Sequence, residues 1–210
     1  MTGTQTADEP TDRLTDSNSV LLLSPSFADG SDCTELLQPD AAAETNVLWV
    51  SYTKSPDKQL QRWRKRASGR PANVGMVSVE DSTRSVAADT GGATEPSLPE
   101  TPVETVASPN DLTGLGIRIT EFLNDWKGNG NRTTVCFDSL TALLQYVELE
   151  TAYEFLHIIG GRMASNDALA HFHMDPDAHD EQTVEIITSL MDAVVEIDEH
   201  GERNVRTRKP

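Results

Sequence analysis

The sequence predicts an α/β fold: a three-layer sandwich around a mainly parallel sheet, closed by a C-terminal antiparallel hairpin. Three observations predict it. Short continuous apolar runs such as VLLL, NVLWV and TTVCF read as strands buried on both faces, as a parallel sheet requires. Segments of helical periodicity alternate with them, and such alternation folds as right-handed strand–helix–strand crossovers. The last two runs, DAVVEID (192–198) and ERNVRTR (202–208), are separated only by a turn around His200-Gly201, which is hairpin spacing.

Taken in order, residues 1–18 (MTGTQTADEPTDRLTDSN) lack apolar periodicity and are expected to form a disordered acidic tail, with one domain over 19–208. VLLLSP (20–25) is the first strand, and a short helix over 32–39 carries Leu36 and Leu37 before Pro39 ends it. NVLWVSY (46–52) is the second strand. SPDKQLQRWRKR (55–66) is a helix with Ser55 as N-cap and Pro56 in its first turn. NVGMVSV (73–79) is the third strand. Residues 80–110, rich in Thr, Ser, Pro, Gly and acid, are expected to be a long flexible loop, because such a composition buries no core. A helix over 111–126 places Leu112, Leu115, Ile119, Phe122 and Leu123 on one stripe. GNGN (128–131) turns into the fourth strand, RTTVCFDS (132–139); helices follow over 140–147 and 150–164, then a fifth strand, ALAHFHMD (168–175), and a helix over 180–190.

Composition narrows the function. With 210 residues and 37% hydrophobic content the chain builds one core. No run nears the roughly eighteen apolar residues of a membrane span, so a soluble, cytoplasmic protein is expected. Two cysteines, Cys33 and Cys136, give neither a disulfide framework nor zinc-finger spacing, and read as buried thiols. Asp and Glu number 34 against 17 Lys and Arg, and only Lys54, Lys58, Lys65, Lys127 and Lys209 are lysines. That balance points to a halophile cytosol, where molar salt screens self-repulsion and carboxylates hold water at the surface.

The strand–turn–helix at 20–39 stands where a phosphate-binding loop would be. Such a loop needs glycines, a lysine for the phosphates and a hydroxyl for Mg²⁺. In the degenerate loop SPSFADGSDC (24–33), which begins at Ser24, Gly30 alone survives, and Ser31 and Asp32 occupy the places of Lys and Ser/Thr. Asp29 and Asp32 would repel a triphosphate by several kcal/mol at close range. In TTVCFDS, Asp138 ends an apolar strand, as does the Walker B acid that holds Mg²⁺; the bland alternative is a cap on the following helix, which Ser139 could equally supply.

With NVLWVSYTKSPDKQL (46–60) and TTVCFDSLTALLQY (133–146), the chain resembles the RecA/KaiC-like ATPase superfamily, and within it a degenerate set of uncharacterised haloarchaeal proteins. The resemblance covers about residues 19–200 and is specific at Asp138-Ser139-Leu140 and at Ser51-Tyr52 with Ser55-Pro56. It implies that the fifth strand lies beside the Walker B strand, and that relatives assemble through neighbouring domains. It also implies a catalytic Glu pair after the second strand, where this chain has Thr53 and Lys54. Without the Walker A lysine, its hydroxyl and the base, the expectation is a pseudo-ATPase with no cofactor. Its work would be that of a protein-interaction or regulatory module, possibly in signalling, alone as a homo-oligomer or with an active paralogue. The alternatives are a residual Mg-ATPase using Asp138, and a DNA-binding accessory.

Two further segments carry candidate chemistry. In HFHMDPDAHDE (171–181), His171 and His173 share one strand face, and with His179 they make a metal set to which Asp175, Asp177 and Asp180 could add; the bland reading is a loop and N-cap. The cations Lys58, Arg62, Arg64, Lys65 and Arg66, flanked by Lys54 and Arg70, form a basic stretch in an acidic chain, and Arg203, Arg206, Arg208 and Lys209 a second one at the end. A solvated face or a protein-docking face is favoured over nucleic acid, since molar salt weakens phosphate contacts severely.

Overall fold

In the computed structural model, which describes residues 14, 16–25, 41–54, 58, 69–80, 101–198 and 200–208, eight strands form one sheet. They are β1 (Ser19–Leu23), β2 (Thr45–Ser51), β3 (Asn73–Val79), β4 (Val103–Val106), β5 (Arg132–Asp138), β6 (Ala168–Met174), β7 (Ala193–Ile197) and β8 (Arg203–Thr207). Their spatial order is β4-β3-β2-β5-β6-β1-β7-β8, parallel except for the β7–β8 hairpin. The expected α/β architecture with a closing hairpin is the observed one. Gly201, at φ +79°, occupies the hairpin turn, where Asp198 accepts the N–H groups of His200 and Glu202, both at 2.8 Å.

Four helices are described: α1 (Leu112–Trp126), α2 (Leu140–Leu143), α3 (Leu149–Ser165) and α4 (Glu181–Thr188). The α1 stripe behaves as its periodicity demands, burying Leu115, Ile119, Phe122 and Leu123. These join Phe155, Ile159, Ile187 and the sheet residues Leu48, Val77, Phe137 and Phe172 in one apolar cluster. Each such side chain stabilises by about 1.5–3 kcal/mol on burial. Gly75 is part of this packing: a Cβ there would stand 2.5 Å from the Phe122 ring, so the glycine lets α1 approach the sheet. The opposite sheet face carries two smaller clusters, one around Val20, Leu22 and Val195, the other around Val47, Trp49, Met76 and Cys136. Both faces of the sheet are therefore buried, which is why its central strands read as unbroken apolar runs.

Two expectations need correction. The tail was expected to reach residue 18, yet Leu14 is 2% exposed and packs with Val20 and Leu22. Asn18 also donates to the Ala168 carbonyl and to Asp192 Oδ2, at 3.1 and 3.0 Å. A single leucine among polar residues has no periodicity to reveal it. The 80–110 loop, in turn, contains β4, which pairs with β3 from Met76–Val103 to Val79–Val106 and buries Val106. The loop's polar composition masks VETV, an edge strand half of whose residues face water. Residues 81–100, and the helices expected over 32–39 and 55–66 apart from the exposed Lys58, lie outside the described residues.

Candidate functional site

Because β1, β2, β5 and β6 run parallel, their C-terminal ends share one edge of the sheet, where open α/β sheets bind ligands. Asp138 ends β5 at that edge, opposite Ser51 at the end of β2. The Ser51 hydroxyl accepts the Lys54 N–H and donates to the Lys54 carbonyl, both at 2.9 Å, folding the chain after β2 back on itself. That turn delivers Lys54 Nζ to the Asp138 carboxylate, and the two form an ion pair. Asp138 is 7% exposed, so its charge needs a partner, and Lys54 supplies it. The two readings of Asp138 separate here: Ser139 caps α2, accepting the Ala142 N–H at 3.1 Å, while Asp138 is engaged with the lysine. Tyr52 braces the edge. Its N–H donates to the Asp138 carbonyl at 2.8 Å and its hydroxyl to the Pro109 carbonyl at 3.2 Å. Burial, reinforced by the Asp111 carboxylate, pushes the Tyr52 phenol well above its ordinary range.

This pair has a chemical consequence. The ammonium neutralises the carboxylate that a hydrated divalent ion would need, and it does so from the position where the resemblance implies a catalytic glutamate.

A second group lies on the same sheet face. Cys136, two residues before Asp138, is the register partner of His171 on β6, and His173 follows one pleat along. The Cys136 Sγ stands 3.6 Å from His173 Nε2, and the two imidazoles lie edge to face with ring centroids 5.3 Å apart. One ligand atom from each of the three lies within 4.8 Å of the others. Cys136 and His171 are buried and His173 half-buried. Burial lowers the His171 pKa, keeping its ring neutral against the pull of Cys136. At His173 burial acts the same way, but Cys136 and the Asp138 carboxylate outweigh it and raise the pKa.

His179 does not join this group. Its Nε2 lies 3.2 Å from Thr141 Oγ1, which also accepts the Asp175 N–H at 2.9 Å. Asp175 accepts from the Asp177 N–H at 3.0 Å, and Asp180 caps α4 by accepting from Thr183 at 2.7 Å. Asp175 and Asp180 thus serve a turn and a cap, and the groups the structure brings together are Cys136, His171 and His173, not the alternative set of His171, His173 and His179. Ser24 begins the degenerate loop with its N–H on the Met174 carbonyl at 3.1 Å; Gly30, Ser31, Asp32 and Cys33 lie outside the described residues. Of the basic stretch, Lys58 and Arg70 are exposed, and Arg62, Arg64, Lys65 and Arg66 lie outside the described residues. In the second basic stretch Arg206 pairs with Glu196, and Arg208 donates to the Ser189 carbonyl at 2.6 Å.

By sequence alone, Lys54 flanks the basic stretch and Cys136 reads as a buried thiol. Parity was the available signal: Cys136 and Asp138 alternate onto one face, as do His171 and His173. Which two strands would sit side by side was not in that signal.

The chain belongs to a family of unknown function, DUF7504, whose model matches residues 17–197. No curated protein matches it. Among solved structures it is similar to one from Pyrococcus horikoshii OT3, described as a structural study of Project ID PH0250. That likeness has a TM-score of 0.56 at 9% identity and covers 90% of this chain and 85% of the other, so it concerns the fold alone. Among the described residues, no helix is long and apolar enough to cross a membrane.

Proposed function

We infer that the chain is a catalytically inactive RecA/KaiC-like domain that serves as a protein-interaction or regulatory module, of the kind signalling assemblies use. The observation that carries this reading is the Lys54–Asp138 ion pair. An ATPase of that class needs its strand-end aspartate free to hold hydrated Mg²⁺ and a carboxylate nearby to orient the attacking water. Here a tethered ammonium takes the place of both. A dication arriving at Asp138 must first displace Lys54, and then still lacks the loop lysine at its phosphates. The placement of β6 between β1 and β5 supports the family resemblance, since the Walker B-like strand then neighbours ALAHFHM as that resemblance implies.

The interaction half of the reading draws support from the helical face. Between α1 and α3 runs a groove lined by Leu112, Ile117, Phe155 and Ile158, and Ile117 and Ile158 are 51% and 57% exposed. Neighbouring exposed isoleucines beside a groove suit a protein partner better than they suit water.

The test is thermal unfolding of the full chain in molar KCl with and without MgATP. A ligand that binds only the folded state stabilises by RT ln(1 + [L]/Kd). The expected result is an unchanged transition at millimolar MgATP; stabilisation that grows with nucleotide concentration would return the protein to the ATPase class. Co-purification from the native host, repeated with Ile117→Glu and Ile158→Glu, tests the partner: a complex that survives both substitutions places the contact elsewhere.

A further inference from the structure

We propose that Cys136, His171 and His173 are the protein ligands of a transition-metal site, taking Zn²⁺ or a metal of similar softness. This goes beyond the inactive-ATPase reading and stands whether or not that reading holds.

The geometry comes first. In a tetrahedral zinc site with Zn–S of about 2.3 Å and Zn–N of about 2.05 Å, the sulfur and nitrogen are about 3.6 Å apart. Cys136 Sγ and His173 Nε2 already stand at 3.6 Å. The remaining ligand separations lie within 4.8 Å, so closing on an ion asks for an approach of about 1 Å between those atoms. The scaffold resists distortion, since β5 and β6 are adjacent central strands locked in register from Thr133–Ala168 to Phe137–Phe172.

The donor set comes second. One thiolate and two imidazoles suit zinc, cobalt or copper, and exclude magnesium and calcium, which want oxygen. His171 is 4% exposed, and an imidazole binds metal in its neutral form. Three protein ligands leave one tetrahedral position for an exchangeable fourth.

Two histidines facing a thiol on the sheet face that carries Val20, Leu22, Val47, Trp49 and Met76 also ask for a reason. Packing alone would be met better by apolar residues, because each buried imidazole carries a desolvation cost. A bound metal turns that cost into binding.

The experiment is titration of Co²⁺ into the chelator-stripped full chain in molar KCl, followed by absorption. The expected result is one Co²⁺ per chain with a thiolate-to-metal charge-transfer band that Zn²⁺ erases. Cys136→Ser should abolish the band, His173→Asn should weaken binding at least about tenfold, as ligand-shell losses do, and His179→Ala should leave both unchanged. If Cys136→Ser does not fold, the band in Cys33→Ser and its reversal by chelator decide the matter, since Cys136 is then the one cysteine left in the chain. Wild-type protein without a thiolate band, or binding that persists undiminished in both Cys136→Ser and His173→Asn, overturns the proposal.

Discussion

Replacing Lys54 with methionine tests what the ion pair does for the fold. Methionine keeps much of the lysine stem's bulk and removes its charge, leaving the Asp138 carboxylate in place. Breaking a fully buried pair costs about 3–5 kcal/mol, and an exposed pair is worth about 0–1 kcal/mol. The Lys54 side chain is 31% exposed and that of Asp138 10%, which places this pair between those limits, at about 2 kcal/mol. For a domain of this size that amounts to a fall in Tm of about 4–8 °C. The assay is denaturant and thermal unfolding in molar KCl, where the Debye length is about 3 Å and exposed pairs are screened away. Asp138→Asn alone should be destabilising, and Lys54→Met combined with Asp138→Asn should recover part of the loss. A coupling energy of about 1 kcal/mol or more is expected from the cycle; additivity within about 0.5 kcal/mol would refute the pairing. The Lys54→Met protein should also gain thermal stability from millimolar Mg²⁺, which the wild type should not.

Other predictions follow from single contacts. Gly75→Ala puts a methyl against the Phe122 ring and should cost about 1–3 kcal/mol, read from the urea midpoint, with Phe122→Leu in the same chain restoring part of it. Tyr52→Phe loses the bond to the Pro109 carbonyl and should cost about 1 kcal/mol at neutral pH. Because the Tyr52 phenol is raised above its ordinary 10.0, its contribution is complete below pH 10 and lost above it, so wild type should weaken in alkali more steeply than Tyr52→Phe. Asn46 donates to Thr133 Oγ1 at 3.1 Å and accepts from Asn73 at 2.8 Å; Asn46→Leu leaves those groups unmatched and should cost about 1–3 kcal/mol in chemical denaturation.

Much of the fold was legible because its signals are local. An apolar run five to seven residues long announces a buried strand whatever it pairs with, and the α1 stripe is complete within sixteen residues of chain. Strand β4 escaped because two valines three apart carry little signal inside a segment rich in Thr, Pro and Glu. Leu14 escaped for the same reason: one apolar residue has no period. At the site, the sequence marked Asp138 and the His171–His173 pair. It grouped Lys54 with a basic stretch, since a run of cations follows directly in the sequence and the Ser51 turn that reverses the chain is visible only in its hydrogen bonds.

By itself, the sequence determined the strand–helix alternation, the acid at the end of β5, and the turn residues Thr53 and Lys54 after β2, all properties of contiguous residues. The tertiary structure alone decided the register of β6 on β5, which brings Cys136 to His171 and His173 from thirty-five and thirty-seven residues away, and that Lys54 closes on Asp138 across eighty-four. The physical reason is that side-chain period says which face a residue takes, whereas strand order, set by packing of the whole core, says which residues meet on that face.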